Sequence, residues 1–136
     1  MDRPAFVDTN IFLRHFLDDN PDQTPRATAY LQRIERGEVR AVTSETVVFE
    51  TVFVVDRRQG LRPSAIRDLV GPIVALPGLH VPDKHRLLRA LDTFATFNIP
   101  FADAQHAVVM ESMGLSEIVS FDHHFDRIPG ITRIEP

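Results

Sequence analysis

Apolar residues along this chain fall in short runs that alternate with longer stretches of helical spacing. Pro4 to Val7 is a short apolar run closed by Asp8. From Thr9 to Leu17, apolar side chains stand at 12, 13, 16 and 17, one face of a helix. Asp19-Asn20-Pro21-Asp22 reads as a loop. Pro25 suits a first helical turn, and that helix runs to Arg36 with Gly37 as its stop. Val39 to Val42 is a second short strand. Further on, Pro63 to Leu76 reads as a helix kinked at Gly71-Pro72, and Leu79 to Val81 as a strand. Lys84 to Phe97 carries Leu87, Leu88, Leu91, Phe94 and Ala95 on one helical face. Asn98 to Pro100 is a turn, Ala102 to Met113 a helix stopped by Gly114. Ile118 to Phe121 is a strand ended by Asp122, His123 to Arg127 a brief turn or helix, and Ile131 to Ile134 a last edge strand.

The stretch VVFETVFVV, Val47 to Val55, is the ambiguous one. Eight of its nine residues are apolar or β-branched, and the ninth is Glu50. Residue preference favours a strand. The boundaries favour a helix: Ser44 is a good N-cap, and Arg57-Arg58-Gln59-Gly60 is a basic, glycine-closed C-terminus. A buried helix over Glu45 to Gln59 is therefore expected. Glu50 would then be a buried carboxylate, which must find a partner. That partner is either a buried Arg or a site shared with other acids.

Strands alternating with helices predict an α/β fold, a three-layer α/β/α sandwich with a mainly parallel central sheet. The 136 residues fit a single domain, 1–136. No repeat or linker interrupts it. With 43% hydrophobic and 25% charged residues the chain is globular. It has no cysteine, which excludes disulfides and thiolate metal sites. Asp8 breaks the first apolar run, so a soluble, cytoplasmic protein with no membrane partner is expected. The net charge of −4 argues against coating nucleic acid by charge alone, but not against a nuclease whose positive charge is a metal ion. Fourteen of the 15 basic residues are Arg. Arg57, Arg58, Arg62 and Arg67 form a stretch read as a solvated face in preference to a phosphate-contact patch.

In parallel sheets, ligands bind beyond the carboxyl ends of the strands. Asp8 and Asp122 each stand just past a strand. Each also suits a helix cap or turn. Asp103, in NIPFADAQHAVVM, falls in the first turn of a helix, where the helix dipole alone would favour it. If Glu50 joins them, four carboxylates converge, and a divalent cation relieves their repulsion. Oxygen ligands suit Mg²⁺ or Mn²⁺. His106 reads as a helix-face residue. His123 and His124 are adjacent, do not share a face, and lack a cysteine to support zinc. Thr9 and Asn10 read as cap and first turn, or, for Asn10, as orienting an acid or a water. Phe12, Phe16, Phe49, Phe53, Phe94 and Phe97 are expected in the core.

VDTN near the N-terminus, a Glu inside an apolar helix, FADAQHA and SFDHHF together resemble the PIN domain, and within it the VapC-type toxins of toxin–antitoxin pairs. The resemblance covers essentially the whole chain. It places the family's acidic cluster at Asp8, Glu50, Asp103 and Asp122, with Asp8, Asp103 and Asp122 as metal ligands. Ser120 stands where such proteins often have Thr, and Asp126 is a candidate peripheral acid. The resemblance implies an endoribonuclease that uses Mg²⁺ or Mn²⁺ and a metal-activated water. It implies a VapB-type antitoxin partner and a homodimer. Two rival readings are a catalytically silent interaction domain, and a phosphoryl-transfer domain using Asp8. The second lacks an Asp at position 10 and a well-placed lysine, Lys84 being the only one.

Overall fold

The computed structural model describes residues 3–136. Three two-residue strands form one parallel ladder in the order β1 (Ala5–Phe6), β2 (Ala41–Val42), β3 (Leu79–His80). Ala5 faces Ala41, which faces Leu79. Single bonds extend the ladder, Val7 N–H donating to the Val42 carbonyl and Thr43 N–H to that of His80. A second parallel ladder joins β4 (Glu117–Val119) to β5 (Thr132–Ile134). The helices α1 (Thr9–Leu17), α2 (Gln23–Glu35), α3 (Glu45–Gln59), α4 (Pro63–Val74), α5 (Lys84–Phe97) and α6 (Phe101–Ser112) complete a three-layer α/β/α arrangement. All described strand pairs are parallel, as expected of strands separated by helices.

Helix ends follow local chemistry. The Ser44 hydroxyl accepts from Val47 N–H, and Gly60 closes α3 in the left-handed region. α2 begins at Gln23, ahead of Pro25, because the Asn20 carboxamide oxygen accepts from the N–H groups of Asp22 and Gln23. α4 runs through Pro72 and ends two residues later, so the proline costs only a bond near the terminus.

α3 corrects one expectation. It is not buried on all sides. Val47, Val48, Thr51, Val52 and Val55 are buried, while Thr46, Glu50, Phe53 and Arg57 form an exposed stripe opposite. The β-branched residues mask a helical period, since valine occupies both the core and the flank. Phe53 is likewise corrected: it is 49% exposed, with the Arg57 guanidinium 5.5 Å from its ring centre. Phe12 and Phe94 are buried, and Phe16, Phe49 and Phe97 pack against the core as expected.

The core lies where α3, α4 and α5 meet the first ladder. Val52, Val55, Ile66, Leu79, Leu91 and Phe94 are almost inaccessible. Each such side chain contributes about 1.5–3 kcal/mol of transfer free energy. Thr43 is buried to 1% exposure and its hydroxyl donates to the Val7 carbonyl at 2.8 Å. That bond fixes the end of β1, one residue before Asp8. The arginine stretch is surface: Arg58 pairs with Asp19, and Arg67 with Asp68 and Asp92. Among the described residues no helix is long and apolar enough to cross a membrane.

Candidate metal centre

The first turn of α6 carries Asp103 inward. Its neighbours Phe101 and Ala104 are buried, and Phe101 packs edge-on against Phe94 and stacks on Phe49. The carboxylate is therefore held at the rim of the core, 8% exposed. Beyond β4, Ser120 N–H donates to the Ile134 carbonyl, and the Ser120 hydroxyl accepts from Asp122 N–H at 2.9 Å. Asp122 then caps a 3-10 turn, His123–Arg127, by accepting from His124 N–H at 2.9 Å. Buried Phe125 anchors that turn.

This folding brings Asp103, Asp122 and His124 together, with one donor atom of each within 4.8 Å of the others. His124 Nδ1 lies 2.6 Å from Asp122 Oδ1 and 3.4 Å from Asp103 Oδ2. Yet Asp103 Oδ2 and His124 Nδ1 are both shielded from solvent, and neither makes an aligned hydrogen bond. Buried polar atoms without partners are rare in folded proteins. Burial pushes the Asp103 carboxyl up to about 6, and the neighbouring Asp122 adds to that shift. Asp122 is held below the ordinary carboxylate range, first by the His124 backbone N–H. Two carboxylates and an imidazole that converge around unpartnered atoms are a donor set a divalent cation fits.

The other two acids stand in a neighbouring groove. Asp8, Thr9, Asn10, Phe49, Glu50 and Phe53 line it. Asp8 occupies the N-cap position of α1 but makes no capping hydrogen bond, so its carboxylate is not spent on the helix. Glu50 is exposed, contrary to the buried carboxylate expected from its apolar surroundings in the chain. The exposed stripe of α3 is the reason. Among the described residues no cation lies within ion-pair distance of Glu50; its Oε2 accepts instead from the Thr9 hydroxyl at 3.0 Å. Thr9 is itself buried. The stacked rings of Phe49 and Phe101 join the helices that bear Glu50 and Asp103. Asp8 and Glu50 lie outside the cluster of Asp103, Asp122 and His124.

His124 is the residue that sequence reasoning missed. Adjacent histidines do point apart, as argued, but one of them points at the acids. The available signal was its position two residues after a capping Asp, where a tight turn folds the side chain back. His123 faces Asp126 and Glu135 on the surface. Asp126 pairs with Arg133, which explains it without a metal. His106 is exposed and stacks on Phe125.

No curated protein matches the chain. Among solved structures, it resembles VapC20 of Mycobacterium tuberculosis, a toxin that cleaves the sarcin–ricin loop. Identity is 18%, with 97% of this chain and 99% of that one covered, at a TM-score of 0.39. A superposition of that quality adds nothing to the assignment. The sequence profile of the PIN domain matches residues 5–131, nearly the whole chain. With that match and its four acids in order, the chain belongs to the PIN domain family.

Proposed function

We propose that this protein is a metal-dependent endoribonuclease, the toxin of a VapBC-type pair, acting in the cytoplasm and restrained by a VapB-type antitoxin. The observation that carries the reading is the buried, unpartnered Asp103 Oδ2 beside Asp122. Asp103 and Asp122 would hold Mg²⁺ or Mn²⁺, with Asp8 as a third carboxylate. When bound, the cation polarises a phosphate oxygen and lowers the pKa of water. The protein supplies positioning. Thr9 occupies Glu50 Oε2, which leaves Oε1 free to accept a proton from the attacking water. Asn10 lines the same groove and can orient that water or the scissile phosphate. Because water attacks, the products carry 5′-phosphate and 3′-hydroxyl ends. The resemblance of the whole motif set to VapC-type chains supports the toxin role and a homodimer.

The test is cleavage of a structured RNA in Mg²⁺ or Mn²⁺, with end-group analysis, alongside thermal melts. The wild-type chain should cut only with the cation and should melt at higher temperature in its presence. Asp103→Asn should lose cleavage and Asp8→Asn the thermal shift. Cleavage that survives a chelator or the Asp103 substitution overturns the reading. A wild-type chain that neither cuts RNA nor responds to metal is the silent interaction domain instead.

A further inference from the structure

His124 belongs to no part of the acidic set, yet its Nδ1 is buried against it. Two contacts hold its turn in place. Its backbone N–H is bound to Asp122 Oδ1, and Phe125 locks the next residue into the core. The His124 backbone is thus held beside Asp122, and its ring lies 2.6 Å from the same carboxylate. On its inner side the ring meets Asp103, whose Oδ2 is shielded and unpartnered. The two orphaned atoms, 3.4 Å apart, face one space. His124 Nδ1 lies 2.6 Å from one carboxylate and 3.4 Å from the other, with no hydrogen bond aligned on either. His123 next door, by contrast, makes ordinary surface contacts with Asp126 and Arg133.

We propose that His124 is a nitrogen ligand to the cation held by Asp103 and Asp122, and that it gives the centre a preference for Mn²⁺ over Mg²⁺. The inference rests on the metal centre proposed above. Mg²⁺ takes oxygen ligands in a near-ideal octahedron and keeps much of its water. Imidazole is a softer donor that suits the later divalent ions, and Mn²⁺ accepts mixed nitrogen and oxygen ligation more readily than Mg²⁺. A Mn²⁺ ion here would take one oxygen from each carboxylate and Nδ1 from the ring. The remaining positions stay open to solvent and phosphate, on the side where Asp122 and His124 are partly exposed.

Mn²⁺ is paramagnetic, so its ligands can be read without any assay of activity. Pulsed EPR of the whole chain with Mn²⁺ should show modulation from a directly bound nitrogen. His124→Gln should abolish that modulation, while His123→Gln and His106→Gln keep it. By calorimetry, His124→Gln should weaken Mn²⁺ binding by about tenfold or more and Mg²⁺ binding by less than about threefold, the scale of losing one partner at a metal site. Melting of each variant without metal checks that it is folded. Bound Mn²⁺ with no nitrogen modulation overturns the role of His124 and leaves the acidic centre standing. Modulation that persists in His124→Gln overturns it too, by assigning the nitrogen elsewhere. Failure of the wild-type chain to bind Mn²⁺ at all overturns the metal centre itself.

Discussion

Glu50 and Thr9 form a pair in which each residue's burial explains the other's role. Thr9 is buried at the start of α1, so its hydroxyl cannot turn to bulk water; Glu50 is exposed, so its carboxylate keeps contact with solvent. Removing the charge should therefore barely touch the fold. Glu50→Gln is expected to change stability by under about 1 kcal/mol, since the amide oxygen can still accept from Thr9. RNA cleavage should fall at least about 100-fold, the usual scale for one positioned acid–base group. Chemical denaturation and cleavage must be measured on the same preparation. A mutant several kcal/mol less stable that cuts normally would end the catalytic reading. Asp122 differs in kind. It serves at once as the cap of a turn and as a member of the cluster with Asp103 and His124, so its removal confounds the two effects.

Elements were legible in the chain where boundary chemistry and periodicity agreed. α3 and α5 were read to their observed ends, 45–59 and 84–97. Ser44, Gly60 and Asn98 announce those ends, the last two by adopting positive φ. The orientation of α3 was not legible, because valine on both the core face and the flank hides which face is buried. The acids were legible as an ordered set. What could not be read was their grouping, since that depends on how the five-residue turn after Asp122 folds back on α6. Gly78 shows how tightly α2 packs against the start of β3. A Cβ there would meet the Ile34 carbonyl at 3.0 Å and the Ile34 Cγ2 at 3.1 Å. The Gly78 carbonyl also accepts from Ala41 N–H. Gly78→Ala should cost about 1–3 kcal/mol by crowding, with folding retained. Urea titration checks this, and an unchanged midpoint would mean that Ile34 yields freely.

For the molecule as a whole, burying Asp103 beside Asp122 is a source of strain at neutral pH. Asp103 has its carboxyl raised to about 6, mainly by burial. Between its unfolded value of 3.8 and that value, the folded chain holds a proton that the unfolded chain releases. The contribution of Asp103 to stability is thus fully present below about pH 4 and lost as pH rises through 6. Asp126 and Glu135, both held low by Arg133, act in the opposite sense and lose stabilisation in acid. The total pH profile mixes these terms, and Asp103→Asn separates them. At neutral pH and without metal the variant should be more stable than the wild type, by on the order of 2 kcal/mol. That advantage should vanish near pH 4. An advantage that stays constant with pH would refute the assignment to Asp103.

Arg133 on β5 reaches back to the Ser120 carbonyl, to Asp126 and to Glu135, and among the described residues β5 is the only ladder partner of β4. The turn that presents Asp122 and His124 is consequently framed by residues up to 135. During synthesis, a ribosome-bound chain that has exposed everything through α6 still lacks that frame. In such a chain Asp103 has its helix, but the turn that sets Asp122 and His124 against it is not yet fastened.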